Sequence, residues 1–231
     1  MQAITNALKG IFWAIVSPTK AFKQQDEQPV NPFIVFGFLF VIGLVLSYLI
    51  APFALQAIKE RMLERASELS AEQMRQMGKL LTLSTLRTRM IASFIVIFTA
   101  KTALRGLLFM VAAPLVEANI SFENGVLISL YGDVITTLES ILRLLIVWLF
   151  GVHSVMFSPG AFLSPEQLST FWGSLLASLN IFSIWAFYVI GIGIAIIGRT
   201  SKRKALLFSY ALWFLWLLGT MFLKTSMPHR G

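Results

Sequence analysis

Long apolar runs separated by short polar segments dominate the pattern of this 231-residue chain. Residues 33–51 form 19 consecutive positions without a charged side chain, and residues 175–197 form another such run. A helix needs about 20 apolar residues to cross the hydrocarbon core of a bilayer. The pattern therefore predicts an all-α integral membrane bundle with five transmembrane helices, at about residues 33–51, 90–116, 125–152, 174–197 and 205–223.

The first 30 residues form an amphipathic segment ahead of the membrane domain, which covers residues 31–223. Helical spacing brings five apolar side chains of this segment to one face: Ile4, Leu8, Ile11, Phe12 and Ile15. The segment is too short to span a bilayer, so we expect it to lie in the membrane interface or, as the alternative, to pack on its own protein.

Polar residues followed by proline mark the starts of three helices, at Ser17-Pro18, Asn31-Pro32 and Ser164-Pro165. Ser164 and Gln167 have the spacing of a capping box. We expect the helix that begins there to continue through Phe171 and Trp172 into the fourth span.

A charged linker, residues 53–89, separates the first two spans, and residues 224–231 form a short tail. Pro52 is expected to end or kink the first span. The pattern of charged and apolar residues in the linker predicts two extramembrane helices. The second of them is expected to begin at Ser70 and to end near Gly78.

The amino-acid composition is typical of a membrane protein. Of the residues, 57% are hydrophobic and 13% are charged, against about 25% charged in soluble domains, and the mean hydropathy is +0.77. The net charge is +8, but the basic residues cluster at span ends, which favours anionic lipid headgroups as partners and not nucleic acid. The chain has no cysteine, and His153 and His229 lie far apart, so neither a metal site nor a cofactor is expected.

A basic turn between the fourth and fifth spans is the main topological signal: Arg199, Lys202, Arg203 and Lys204. Basic residues beside a span stay on the cytoplasmic side. With five spans, this predicts a cytoplasmic N-terminus in a bacterial-type inner membrane and an external 53–89 linker. The linker's seven Lys and Arg residues oppose this orientation.

Five charged residues fall within the second and third spans: Lys101, Arg105, Asp133, Glu139 and Arg143. A charge inside a membrane is costly and indicates a function or a specific partner. Counted along the helices from Glu117 and Asn124 at about 1.5 Å per residue, Glu139 is level with the gap between Lys101 and Arg105. We therefore expect Glu139 to pair with one of them. The cluster is either a structural ion-pair network or a binding site for an anionic solute or lipid headgroup.

Other polar positions within the spans indicate packing. Asn180 and Ser183 in the fourth span are expected to form hydrogen bonds between helices. Trp213 and Trp216 lie inside the fifth span, which also favours a packing role. The chain shows no phosphate loop and no nucleophile with a matched base, so no catalytic residue is expected.

Asn180–Trp185, followed by a glycine-containing apolar run and Ser201–Ala205, resembles the fourth-span signature of bacterial members of the Yip family of Ypt/Rab-interacting membrane proteins. Other stretches are similar to the family's opening segment and to the region entering its third span: Ser17-Pro18, Ala21-Phe22, Pro29 and Pro32-Phe33, then Ser121-Phe122 and Leu130-Tyr131-Gly132. The resemblance implies five spans, a cytoplasmic N-terminus and no catalytic residues. The eukaryotic relatives' GTPase binding does not carry over, because only about 30 residues precede the first span here.

These patterns predict a non-enzymatic multi-pass protein that acts by association with lipids, with protein partners or with further copies of itself. The alternative is a small transporter or lipid-handling protein that uses the charged residues of the second and third spans. A polar cavity reaching those residues would favour the alternative, and a sealed ion pair would favour association.

Overall fold

Every regular element that the structure describes is a helix, in agreement with the apolar pattern. The structure is a computed structural model and describes residues 1–64, 82–152, 155–168 and 170–226. Within these ranges there are nine α-helices: α1 Gln2–Val16, α2 Pro18–Glu27, α3 Pro32–Glu64, α4 Leu83–Ala112, α5 Phe122–Phe150, α6 Pro165–Leu168, α7 Phe171–Ser178, α8 Ile181–Ile197 and α9 Lys202–Ser226. Two short 3₁₀ turns lie at Ala113–Val116 and Pro159–Phe162.

By length and apolar composition, three of the described helical stretches can cross a membrane: Pro32–Glu60, Leu83–Val116 and Lys202–Phe222. The pair α7 and α8 makes a fourth if the two count as one span. The predicted third span corresponds to α5, which is not among these stretches and carries Asp133, Glu139 and Arg143. An all-α membrane protein is thus supported.

The predicted continuous helix from Ser164 through the fourth span is wrong. The capping box does form, since Gln167 Oε1 accepts from the backbone N–H of Ser164 at 2.9 Å, but α6 ends at Leu168. A second break separates α7 from α8, which are bent by 57°. There the side chain of Asn180 accepts from the N–H of Phe182 at 2.8 Å. An asparagine that bonds its neighbouring backbone starts a new helix more readily than it continues one.

The first span begins as predicted but ends later. Asn31 Oδ1 accepts from the N–H of Phe33 at 2.8 Å and caps α3. Pro52 lies inside α3, which continues to Glu64, so part of the predicted linker belongs to this helix. The predicted linker helix at residues 70–78 lies outside the described residues.

Contacts within the chain group its residues into two units. The first contains Met1–Gly37, Thr102–Thr136 and Met156–Gly231, and the second contains Phe38–Lys101 and Thr137–Val155. Helices α3, α4 and α5 each contribute to both units.

The core of the first unit lies where α5 meets α8. Residues 127–135 of α5 and 189–195 of α8 are buried at every position. The ring of Phe22 from α2 is fully buried there, 5.2 Å from the ring of Tyr131. A Cβ atom on Gly193 would lie 2.5 Å from Cζ of Phe22, so this glycine makes room for the ring.

Helix α1 turns its small residues, and not its large apolar ones, toward the first unit. Its buried residues are Asn6, Ala7, Gly10 and Ala14, and a Cβ on Gly10 would clash with the hydroxyl of Tyr131. On the opposite face, Ile4, Leu8, Phe12 and Val16 are each about half exposed. The sequence left two alternatives open for this segment. The structure combines features of both, because α1 packs on its own protein and still presents an apolar ridge outward.

The second unit is built on antiparallel packing of α3 against α4. Phe40 packs on Phe98 with ring centroids 6.2 Å apart, and the guanidinium of Arg87 lies 4.0 Å from the ring centroid of Tyr48. A Cβ on Gly43 would clash with the ring of Phe94. As residue numbers rise along α3 they fall along α4, which fixes the antiparallel register.

Candidate functional site

A partly buried ion pair joins α4 to α5 in the first unit. Nη1 of Arg105 lies 2.9 Å from Oδ1 of Asp133. The side chain of Asp133 is 2% exposed, whereas that of Arg105 is 29% exposed. The carboxylate is therefore enclosed, and the guanidinium borders open space.

Close contact between two glycines brings α4 and α5 together near this pair. A Cβ on Gly125 would lie 2.6 Å from the carbonyl oxygen of Gly106, so the two backbones touch. Asp133 lies eight residues beyond Gly125, which is roughly 12 Å along the helix. Because Cα–Cβ bonds tilt toward each helix's N-terminus, side chains on antiparallel helices lean in opposite directions. Arg105 and Asp133 therefore lean toward each other.

Of the five charged residues predicted as one cluster, two belong to the first unit and three to the second: Arg105 and Asp133, then Lys101, Glu139 and Arg143. Arg105 pairs with Asp133, a partner that the count from the helix ends did not single out. In the second unit, Nη2 of Arg143 donates to Oε1 of Glu139 at 2.5 Å, one turn apart on α5. Nζ of Lys101 lies 5.6 Å from the ring centroid of Phe98. Pairing of Glu139 with Lys101 stays a prediction.

A cavity of about 250 Å³ adjoins Arg105 inside the first unit. Its wall combines the guanidinium with four hydroxyl side chains and two indole rings: Thr136, Ser178, Ser183, Thr220, Trp213 and Trp216. The break between α7 and α8 borders this space, since Ser178 ends α7 and Ser183 lies in the first turn of α8. Irregular backbone at membrane depth is tolerated where it lines a cavity.

Two residues of this wall were predicted to be important, Arg105 as a member of the charged cluster and Ser183 as a hydrogen-bonding residue, but the other hydroxyl residues were not. Thr136, Ser178 and Thr220 come from three different helices, and no sequence spacing relates them. Of the two tryptophans predicted to pack, Trp213 lies 6.0 Å from the ring of Phe187, while Trp216 is 72% exposed. Asn180 serves as the N-cap of α8, a role that its predicted place inside a continuous span did not suggest.

The predicted basic turn lies beside the link between α4 and α5. Nζ of Lys204 is 2.6 Å from Oε1 of Glu117, and the hydroxyl of Thr200 donates to the carbonyl of Val116 at 2.6 Å. Arg199 has a φ of 52°, which lets the chain reverse tightly before α9. Arg199, Lys202, Arg203 and Lys204 are all exposed.

The stretch between α2 and α3 lies beside the same link between α4 and α5. A cavity of about 290 Å³ is lined by residues that connect α2 to α3, including Gln25 and Pro29, and by Glu123 and Asn124 at the start of α5. The segment before α3, the link before α5 and the basic turn before α9 therefore gather at one end of the first unit, called here the basic end.

No model of a known protein family matches the chain, and no curated protein or solved structure is significantly similar to it.

Proposed function

We propose that the chain is a five-span protein of a bacterial-type inner membrane that acts by association with lipids and protein partners, and not by catalysis. The N-terminus and the basic end are cytoplasmic in this proposal. The Yip family resemblance stays a prediction, and the topology that it implies agrees with this arrangement.

The observation that carries the proposal is the exposed ridge of α1. Ile4, Leu8, Phe12 and Val16 recur every four residues and stand opposite the buried face of the helix. Apolar side chains in such a row match a helix that lies in the interface plane, with this face in the acyl chains. Exposed lysines accompany the ridge at Lys9, Lys20 and Lys23, and each basic residue near an anionic leaflet contributes about 1 kcal/mol.

The basic turn supports the same orientation. Lys202, Arg203 and Lys204 occupy the first turn of α9, where positive charge opposes the helix dipole. Helix stability therefore does not account for these residues. The ion pair with Glu117 engages Lys204, and contact with anionic headgroups accounts for Lys202 and Arg203, because the membrane surface offers the opposite charge.

Spin labels on α1 test the proposal in the full chain. Because the chain has no cysteine, the single variants Leu8→Cys and Phe12→Cys can be labelled without background. In nanodiscs containing phosphatidylglycerol, we expect both labels to be accessible to oxygen and shielded from a water-soluble nickel chelate. A label at Glu27→Cys, exposed at the end of α2, serves as the aqueous control. Nickel accessibility at Leu8 and Phe12 equal to that at Glu27 would contradict membrane insertion of α1.

Thiol labelling in cells tests the topology. We expect a membrane-impermeant maleimide to label Thr82→Cys, at the end of the proposed external linker, in spheroplasts. Ser201→Cys, in the basic turn, should react only after lysis, since the proposal makes this turn cytoplasmic. The reverse pattern would invert the orientation, and labelling of both positions from one side would contradict the odd number of spans that the proposal places between them.

A further inference from the structure

We propose that the cavity beside Arg105, within the bundle that the proposed function assigns to a membrane, binds a small oxyanion that also carries hydroxyl groups. A glycerol phosphate group has this chemistry. Such a group can come from a phosphatidylglycerol headgroup or from free glycerol phosphate.

The guanidinium supplies the charge complementarity. A guanidinium has five N–H donors in a planar fork, and the bond to Asp133 engages Nη1. Arg105 lines the cavity, and its side chain is 29% exposed, so further donors can reach a ligand there. Arginine binds phosphate and carboxylate oxygens through two parallel bonds, which are among the stronger hydrogen bonds in proteins.

The hydroxyl groups favour a ligand with donors of its own. Ser178 donates to the carbonyl of Ser174 at 2.8 Å, Thr220 donates to that of Leu217 at 2.8 Å, and Thr136 donates to that of Asp133 at 3.1 Å. The hydroxyl oxygens of Ser178 and Thr220 keep lone pairs that can accept a bond. A bare phosphate ester would leave these acceptors unused, whereas the hydroxyls of a glycerol group can donate to them.

Size and position agree with a headgroup-sized ligand. The volume of about 250 Å³ is smaller than the 300–1,000 Å³ typical of drug-sized ligand sites. Counted by helical rise, Arg105 lies roughly 17 Å and Thr220 roughly 27 Å from the basic end, so the cavity falls in the far half of a 30 Å core. Trp216 both lines the cavity and is 72% exposed, so the wall extends to the outer surface of α9, where a lipid can enter sideways.

Native mass spectrometry of the full chain in mild detergent tests the site. Phosphatidylglycerol, phosphatidylcholine and free glycerol 3-phosphate are titrated separately. We expect wild type to bind phosphatidylglycerol more tightly than phosphatidylcholine, which has the phosphate but no hydroxyl donor. Two variants are expected to weaken this binding about tenfold or more. Ser183→Leu fills the cavity and leaves the ion pair intact, while Arg105→Gln with Asp133→Asn removes the guanidinium together with the negative charge of its partner.

Matched controls separate the site from general effects. Arg89→Gln removes the same charge from an exposed position of α4, and Ala211→Phe adds bulk at an exposed position of α9. Both should bind like wild type. Binding of glycerol 3-phosphate alone, lost in the two cavity variants, would also support the site and make its ligand soluble. Two results would overturn the proposed site. In one, the two lipids bind equally and glycerol 3-phosphate does not bind; in the other, the control variants lose as much binding as the cavity variants. The α1 labels report membrane insertion in either case, so the two proposals fail separately.

Discussion

Replacing Arg105 with glutamine is expected to lower the free energy of unfolding by about 3 kcal/mol, the lower end of the range for removing one partner from a buried ion pair, because only the carboxylate of this pair is fully buried. The variant leaves the carboxylate of Asp133, which is 2% exposed, without its guanidinium. Asp133→Asn should cost less, because the guanidinium that it leaves behind borders the cavity. Combining the two changes should recover part of the loss, since the buried negative charge is then replaced by a neutral amide.

Reversible unfolding in mixed detergent micelles, followed by circular dichroism, measures these differences. Lys204→Gln is the matched control, because it also breaks an ion pair. That pair has the shorter separation, 2.6 Å, but its side chains are 48% and 77% exposed. Exposed pairs contribute about 0–1 kcal/mol. If Arg105→Gln and Lys204→Gln lower stability equally, burial does not determine how much the pair of Arg105 and Asp133 contributes to stability.

Gly125→Ala is expected to destabilise the protein by about 3 kcal/mol, at the upper end of the range for overpacked positions. The added Cβ would lie 2.6 Å from the carbonyl oxygen of Gly106 and 3.2 Å from two more of its backbone atoms. A side chain could rotate away from such a clash, but a helix backbone cannot, so α4 and α5 must separate. Thermal unfolding of the purified protein measures the effect.

Two other glycines provide controls for the same substitution. At Gly37 in α3 and Gly219 in α9, no atom of the described residues, apart from the chain neighbours and the adjacent backbone of the same helix, lies within 4 Å of the position that a Cβ would occupy. Alanine is the better helix former by about 0.5–1 kcal/mol. Gly37→Ala and Gly219→Ala should therefore leave stability unchanged or raise it. A loss at Gly219 as large as that at Gly125 would show that helix-wide effects, and not the crossing, determine the result.

The effects of the Gly125 and Arg105 substitutions on stability should not be additive. The glycine contact sets the register in which Arg105 meets Asp133, so separating the helices weakens the ion pair as well. The combined Gly125→Ala and Arg105→Gln variant should lose less stability than the sum of the single losses, as for neighbouring sites that share one contact.

Local patterns predicted the helices and several of their starts. Charge-free runs indicated α3, α8 and α9 because apolar composition alone decides whether a segment can enter a bilayer. Asn31 and the Ser164 capping box act within three residues of themselves, so their hydrogen bonds formed as predicted. The break at Asn180 was missed, because the apolar run continues across it without interruption.

Partner choice among the charges was harder to predict. A count of residues from the helix ends placed Glu139 at the same depth as Lys101 and Arg105. In the structure, the contact of Gly106 with Gly125 sets the register of the two helices, and in this register Arg105 meets Asp133. A shift of one residue rotates a helical side chain by about 100°. Small errors in where each helix begins therefore change which charges can meet.

By itself, the amino-acid sequence determined the helical membrane class, the approximate extent of the apolar helices and the position of the basic turn. These properties follow from local composition and from contacts within a few residues. Only the tertiary structure decided the pairing of Arg105 with Asp133, the outward ridge of α1 and the cavity lined from several helices. Each of these depends on how helices distant in sequence rotate and approach one another, and close contacts at Gly10, Gly106, Gly125 and Gly193 set those approaches.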